Sequence, residues 1–364
     1  MDAATNEGLD VAVAAAAAGL TPERLTDVLR SEGHDVTVTA LGVEPIGTGQ
    51  MASSFRLVPT YEGNVGDLPS TLVAKVPGGN PEARGSAAGA YRTEVRFYQR
   101  LATTVAVRVP RGHHAWATDD GTDFLLLLED LAPAVQGDQL AGCTVAEADA
   151  AARNLAGLHG PRWCDPTLSD PEGAGLAVVD AEQAGLLADV LGPMTEVFVD
   201  RMGDRLAAAD REVLEMVPAV AGPWLLGRSE RFAPVHGDYR LDNLMFGPDG
   251  TVAAVDWQTV SLGLPARDLA FLCATSLTVE ARRAHEGEVV SAYWDALLAH
   301  GVADHPLDEC LEDYRYALLQ APLIIVLGCA VAAPTERGDA MFLAMAARAC
   351  AAIRDHDPFS LIDP

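Results

Sequence analysis

APVHGDYRLDNLMFGPDGTVAAVDWQ, residues 233–258, decides how the rest of the chain is read. It interrupts a helical region with two short strands around the turn Gly247-Pro248-Asp249-Gly250, preceded by a loop. Asp238 and Asn243 stand five apart in that loop, and Asp256 follows thirteen residues after Asn243, beyond the hairpin. A carboxylate, an amide and a second carboxylate converging from a loop and a strand end suit a hard divalent cation such as Mg2+. That ion takes one or two protein oxygens and fills its other positions with water and phosphate. Asp238 is then placed to accept a hydroxyl proton. Either Asp alone would be ordinary Asx-turn chemistry; the constellation is more than that.

Working outward, the chain before this stretch is strand-rich. Residues 1–20 are Ala-rich and read as a tail or an extra helix. Thr21-Pro22-Glu23 opens a helix with a hydroxyl cap, a Pro and an acid in the first turn, and Gly33 stops it. DVTVTALGVEPI (35–46), FRLVPTYEG (55–63) and TLVAKVPG (71–78) read as strands, with GTGQMASS (47–54) as a turn. A helix is predicted over 86–102, then two strands within 109–132 around Asp119-Asp120-Gly121. Beyond 132 helical spacing dominates, over 145–160, 178–217 and 267–355. The expected class is α+β. A small antiparallel β-lobe (21–131) precedes a larger, mainly helical lobe (132–364).

VHGDYRLDNLMF followed by AVDWQ resembles the catalytic loop and metal-binding segment of the aminoglycoside phosphotransferase and choline kinase-like superfamily. That family shares the two-lobe protein-kinase fold, so the resemblance implies ATP, Mg2+ and a small-molecule hydroxyl acceptor. It implies that Asn243 and Asp256 hold the metal and that Asp238 is the catalytic base. Arg240 is either a charge stabiliser near the γ-phosphate or a structural ion pair. It also implies a Lys on the third strand for the α/β-phosphates, and TLVAKVPG supplies Lys75, the only Lys in the chain. Glu94, nineteen residues later, is the matching helix Glu.

The turn over the phosphates is expected at Gly47 and Gly49, with Ser53 or Ser54 donating hydroxyls where a third Gly is missing. The adenine-facing hinge is expected at Leu128, Glu129 and Leu131. His236 reads as a brace of the loop, with a second acid/base as its other use. Asp268, in an Asp-Leu-Ala motif, is expected to tie the following helix to the loop. Only eleven residues separate Asp256 from Asp268. That is short for a segment that docks a peptide, and it favours a small acceptor. Asp-Trp-Gln and Leu-Glu-Asp-Leu look most like the ecdysteroid-kinase-like branch. Trp163, Trp224, Trp294, Tyr293, Tyr314 and Tyr316 read as core, with an acceptor-pocket lining as their other use.

Charge narrows the partners. The 364 residues carry 25 Lys and Arg against 52 Asp and Glu, a net −27, of which the first 131 residues hold −7 and the rest −20. Such a chain is a poor partner for nucleic acid or an anionic membrane and suits neutral or cationic small molecules. Six Cys without a Cys-x-x-Cys pair, and a start without a basic leader, point to reduced thiols in the cytoplasm. APLIIVLGCAVAA (321–333) reads as a buried helix, shorter than the roughly 20 residues that span a bilayer. The expectation is a cytoplasmic ATP- and Mg2+-dependent small-molecule kinase, with room for a homodimer. Its acceptor is either aminoglycoside-like or an apolar alcohol such as a steroid, macrolide or hydroxyacyl conjugate. The alternative is a non-catalytic nucleotide-binding protein on the same fold.

Overall fold

The computed structural model describes residues 19–47, 51–176 and 178–362. The chain divides into two compact units, Met1–Ala102 with Pro110–Ala132, and Thr103–Val109 with Pro133–Pro364. The short piece Thr103–Val109, expected in the first lobe, belongs to the second unit for a clear reason. Its main chain is hydrogen-bonded there: Ala106 N–H to Gly157 O at 2.8 Å, and Arg108 O accepting from Ala254 N–H at 2.9 Å.

The first unit is built on an antiparallel sheet of β1 (Val36–Ile46), β2 (Ala52–Gly63), β3 (Leu72–Pro77), β4 (Gly112–Ala117) and β5 (Phe124–Glu129), in the order β1-β2-β3-β5-β4. Helix α1 (Pro22–Ser31) covers one face. Thr21 caps it by accepting from Arg24 N–H at 3.2 Å. Leu25, Leu29, Val36, Phe55, Leu57, Leu72, Ala74, Leu125 and Leu127 form the core under it. Burial of each large side chain there contributes roughly 1.5–3 kcal/mol. Helix α2 (Pro81–Arg96) lies on the other face, with Tyr91 against Phe124 at 4.6 Å between ring centroids. The run FLLLL is therefore buried throughout rather than alternating, because β5 is covered on both sides.

Two boundaries differ from the sequence reading. Helix α2 starts at Pro81, five residues early. Asn80 Oδ1 accepts from Ala83 N–H at 2.9 Å and Pro81 pre-sets the first turn, which outweighs Gly85 and Gly89. Strand β2 starts at Ala52, so Ser53 and Ser54 lie in the strand and not in the turn. They pair with Val76 and Lys75.

The second unit is mainly helical. Helix α3 (Val145–His159) opens with a capping box between Thr144 and Glu147, and α4 (Ala181–Met202) with one between Asp180 and Gln183. Helices α5 (Ala208–Met216) and α6 (Ala221–Leu226) follow. The hairpin of β8 (Leu244–Phe246) and β9 (Val252–Ala254) is extended by the two-residue β6 (Val135–Gln136), and β7 (Ala233–Val235) pairs with β10 (Ser261–Gly263). Helices α7 (Ala266–Ser276), α8 (Val279–Ala299), α9 (Leu307–Ala317), α10 (Gln320–Val331) and α11 (Glu336–His356) complete it. Every residue of α7 is buried, which fixes it as the central helix. The stretch Leu307–Val331 is long and apolar enough to cross a membrane, but 67% of its most apolar window is buried inside the fold.

Candidate active site

In the first unit Lys75 sits on β3 opposite Ser54 of β2 and Leu126 of β5, on the face that α2 covers. Its Nζ lies 2.8 Å from Glu94 Oε1 and 2.7 Å from Oε2. The pair is largely withdrawn from water, Glu94 at 2% side-chain exposure and Lys75 at 13%. An ammonium gripped by both oxygens of a buried carboxylate is fixed in direction as well as in charge. Gly47 ends β1 in the left-handed region at φ +72°, where glycine is free of strain. Gly49 lies outside the described residues.

Leu128 is buried in β5 and pairs with Val73 and Gly112. The Glu129 N–H donates to Arg111 O at 2.8 Å, and its Oε2 accepts from Arg111 N–H at 2.9 Å. Glu129 thus completes the sheet edge, and its N–H is not open to a ligand. Leu131 lies past the strand end, half-buried. Between them Asp130 takes Arg56 Nε at 2.6 Å. Burial opposes its charge, but the Arg56 hydrogen bond and the Ala132 N–H hold its carboxyl below the usual range. The sequence reading did not single out that clasp.

In the second unit the loop from His236 to Asn243 is held from behind by α7. Asp268 Oδ2 accepts from His236 N–H at 2.6 Å and Oδ1 from Gly237 N–H at 2.9 Å, so Asp268 does tie α7 to the loop. Gly237 has φ +81°, and a Cβ there would meet Thr259 O at 2.9 Å. His236 is fully buried and both ring nitrogens serve the main chain. Its Nε2 lies 3.1 Å from Val255 O, which only accepts, so Nε2 carries the proton and Nδ1 accepts from Asp238 N–H at 3.3 Å. His236 is a brace. Tyr239 points away into the core, with its hydroxyl donating to Ala151 O at 2.9 Å.

This leaves Asp238 directed outward, its side chain 22% exposed. Arg240 Nε lies 3.0 and 3.2 Å from its two carboxylate oxygens, and Asn243 Nδ2 donates to its Oδ2 at 2.8 Å. Burial pushes the Asp238 carboxyl up from its ordinary value. The charge of Arg240 opposes that, and the charge of Asp256 adds to it. Arg240 Nη1 also holds Asp242 Oδ2 at 2.7 Å, so its guanidinium is shared between two carboxylates.

The fit to a hard cation follows from hydrogen bonds. Asn243 Nδ2 also donates to Asp238 O at 2.9 Å, a carbonyl that only accepts, so the amide orientation is fixed and Oδ1 is the end turned to other partners. Val255 N–H donates to Asn243 O at 2.9 Å, which places Asp256 next in line. Asp256 holds a left-handed backbone, φ +67°, rare for a residue with a side chain. One amide oxygen and one carboxylate fit Mg2+ completed by phosphate and water, and suit a structural metal poorly. Among the described residues no three His, Cys, Asp or Glu side chains gather to hold a metal.

Of the aromatic candidates, Trp224, Tyr293, Tyr314 and Tyr316 are buried core residues, while Trp163 and Trp294 are half-buried beside His305. Three residues shape the loop in ways the sequence reading did not foresee, Trp257 having entered it only as part of the Asp-Trp-Gln motif. Trp257 is fully buried, its ring 4.6 Å from His236. Thr259 Oγ1 donates to His236 O at 2.7 Å, and Gln139 reaches the loop from the far side of the hairpin. Trp257 and Thr259 adjoin Asp256 and could have been suspected from that; Gln139 has no local signal.

A family model described as phosphotransferase enzyme family matches residues 45–309, an interval that contains Lys75, Glu94, Asp238, Asn243 and Asp256. Solved structures share the fold at low identity. A protein of Ralstonia eutropha JMP134, provisionally named an aminoglycoside phosphotransferase, is 19% identical with a TM-score of 0.53, over 90% of this chain and 98% of that one. Ethanolamine kinase of Plasmodium vivax is 11% identical with a TM-score of 0.52, over 85% and 82%. The wild-type aminoglycoside 2'-phosphotransferase-IIIa, solved with GDP, is 14% identical with a TM-score of 0.52, over 91% and 99%. Acyl-CoA dehydrogenase family member 10 of Mus musculus is 45% identical over 53 residues, which span 14% of this chain and 5% of the mouse protein.

Proposed function

The chain belongs to the phosphotransferase enzyme family, and from that premise we propose that it is an ATP- and Mg2+-dependent kinase of a hydroxyl on a small molecule. Asp238, Asn243 and Asp256 carry this reading: one amide braces the base through its N–H groups, which leaves its oxygen as the end for other partners, and Asp256 follows Val255, whose N–H donates to the Asn243 carbonyl. Asp238 orients the acceptor hydroxyl and takes its proton as the oxygen–phosphorus bond forms. The bond from the γ-phosphorus to its bridging oxygen breaks in line. Asn243 and Asp256 would hold the cation, which when bound neutralises phosphate charge. Lys75, oriented by Glu94, fixes the α/β-phosphates, with Gly47, Gly49, Ser53 and Ser54 along the nucleotide and the Leu128–Leu131 segment at the base. Arg240 balances charge beside Asp238.

A small acceptor is supported by the eleven residues between Asp256 and Asp268. Its class is proposed from two directions. The acidity of the second unit favours a cation of the aminoglycoside kind. The Asp-Trp-Gln segment and the name of the mouse relative favour an apolar alcohol or a hydroxyacyl conjugate. The six free cysteines favour a cytoplasmic setting.

The test is Mg-ATP-dependent ADP release by the intact protein and by Asp238→Asn. The acceptor panel would hold aminoglycosides, macrolides, hydroxysteroids, choline-like amines and hydroxyacyl-CoAs. Stimulation by one class, lost in the variant, is the expected result. Stimulation retained in Asp238→Asn would remove Asp238 as the base. ATP binding with no stimulation across the panel would favour a nucleotide-binding protein without catalysis.

A further inference from the structure

The segment after β6 reaches the catalytic loop from outside the family's motif. Gln139 is fully buried, and all four of its polar groups are taken by other elements. Its Oε1 accepts from Leu241 N–H at 2.8 Å, and its own N–H donates to Asp242 Oδ1 at 2.9 Å. Its Nε2 donates to Thr275 O at 2.9 Å, on the last turn of α7. Its carbonyl accepts from Arg348 Nη1 at 2.9 Å, and the same nitrogen reaches Thr275 O at 3.0 Å from α11. Gly137 allows this approach, since a Cβ there would meet Leu241 O at 2.7 Å.

The grip is passed on through Asp242. One oxygen is fixed by the Gln139 N–H and the other by Arg240 Nη1 at 2.7 Å, while the Gln136 amide donates to the Asp242 carbonyl. Arg240 then meets Asp238 through Nε. A continuous line of hydrogen bonds runs from Arg348 through Gln139, Asp242 and Arg240 to Asp238. Beside it, Arg337 Nη2 lies 4.0 Å from Asp242 Oδ1 and Arg240 Nη1 lies 3.5 Å from Met341 Sδ, both longer than the links of the line.

We propose that Gln139 is a positioning residue for phosphoryl transfer, holding the Leu241–Asp242 turn so that Arg240 keeps its place on Asp238; this rests on Asp238 being the base. Any buried glutamine finds partners for its donors and acceptors; what matters is which elements supply them. This one divides them among the catalytic loop, α7 and α11. Loss of the side chain orphans the Leu241 N–H, and the turn has to move to re-pair it.

The experiment compares Gln139→Met, of similar shape, with Gln139→Glu, which keeps an acceptor for Leu241. It measures kcat, the nucleotide Kd, the melting temperature, and the 15N resonance of the Arg240 Nε–H, assigned by its loss in Arg240→Lys. In Gln139→Met we expect kcat to fall about 10–100-fold, a misplacement effect. The nucleotide Kd should stay within about twofold, and the Arg240 signal should move or broaden; Gln139→Glu should show the same signs more weakly. A folded Gln139→Met with the Arg240 signal unmoved overturns the proposal, whether or not kcat and melting temperature fall together. If Gln139→Met does not fold, the Arg240 signal of Gln139→Glu decides by the same criterion. Wild-type protein that turns over no acceptor would sink the kinase reading. The Arg240 resonance would still decide whether Gln139 positions it.

Discussion

Asn243 donates twice to Asp238, at 2.8 Å to the carboxylate and at 2.9 Å to the carbonyl of the same residue. One side chain thus fixes the proposed base, and its remaining oxygen is the group that would hold the proposed cation. Asn243→Ala should therefore damage two things together. We expect kcat to drop about 100-fold, and the Mg2+ concentration for half-maximal rate to rise about tenfold or more. The check is a Mg2+ titration of ADP release. A lower rate with an unchanged Mg2+ requirement would confine Asn243 to bracing Asp238.

Lys75 and Glu94 form the corresponding pair in the first unit, with both carboxylate oxygens within 2.8 Å of Nζ. An Arg cannot replace this geometry: its fork is wider than an ammonium, and Leu126 and Ser54 flank the position on the neighbouring strands. Lys75→Arg should raise the KM for nucleotide about tenfold or more and leave the melting temperature nearly unchanged. Glu94→Ala should behave differently. A mostly buried ammonium loses its carboxylate, a change that typically destabilises by about 3–5 kcal/mol. Thermal unfolding followed beside nucleotide KM separates the two. Equal behaviour of both variants would mean that the pair serves stability alone.

What could be read in the sequence was local in the chain. Lys75 to Glu94 is a strand followed by a helix, and the Asp238 loop is followed at once by its hairpin. Turn residues and period-2 alternation mark both. The Thr21 cap and the Asp119-Asp120-Gly121 turn were visible on the same grounds. Gln139 was not, because its bond to Leu241 crosses 102 positions and nothing near it in the chain calls for a buried amide. The β7–β10 pair escaped for a similar reason: three residues per strand leave no alternation to detect. Ser53 and Ser54 were assigned to a turn by composition, yet pairing with Val76 and Lys75 keeps them in β2. Hydroxyl residues are as much at home in a strand as in a turn.

The thiols offer a test that needs no substrate. Cys273, Cys310, Cys329 and Cys350 are buried, and burial pushes the Cys310 thiol up to about 12. Cys143 is only half-buried, yet burial and the charge of Glu147 raise it to about 12 as well. At pH 8 such groups hold roughly one part in ten thousand as thiolate, the form that reacts. Native protein should therefore show one fast thiol with a disulfide reagent, Cys164, and all six only after unfolding. Cys164→Ser should abolish the fast phase. A fast phase surviving in that variant would show that one of the other sites opens in the native state.

Glu286 links three helices, and its charge makes that link depend on pH. Its Oε2 accepts from Arg282 Nη1 at 2.7 Å and from the Tyr314 hydroxyl at 2.9 Å, and its Oε1 lies 2.7 Å from His356 Nε2. Asp355 is the other acid at this junction, paired with Arg282 and Arg283. Burial works against the Glu286 charge, but the hydrogen bonds from His356 and Arg282 prevail and hold its carboxyl below the ordinary 4.5. A carboxyl depressed on folding stabilises fully above its unfolded value and loses that contribution as pH falls through its folded value. Glu286→Gln should therefore lower stability at pH 7 by about 1.5–3 kcal/mol, the range for hydrogen bonds to a charged group. The gap to wild type should begin to shrink below about pH 4.5, where the unfolded carboxyl takes up its proton, and close as pH falls through the lower value of the folded one. Urea unfolding midpoints at pH 7, 5, 4 and 3.5 give the comparison. A gap of the same size at every pH would mean that Glu286 contributes shape at this junction and not charge.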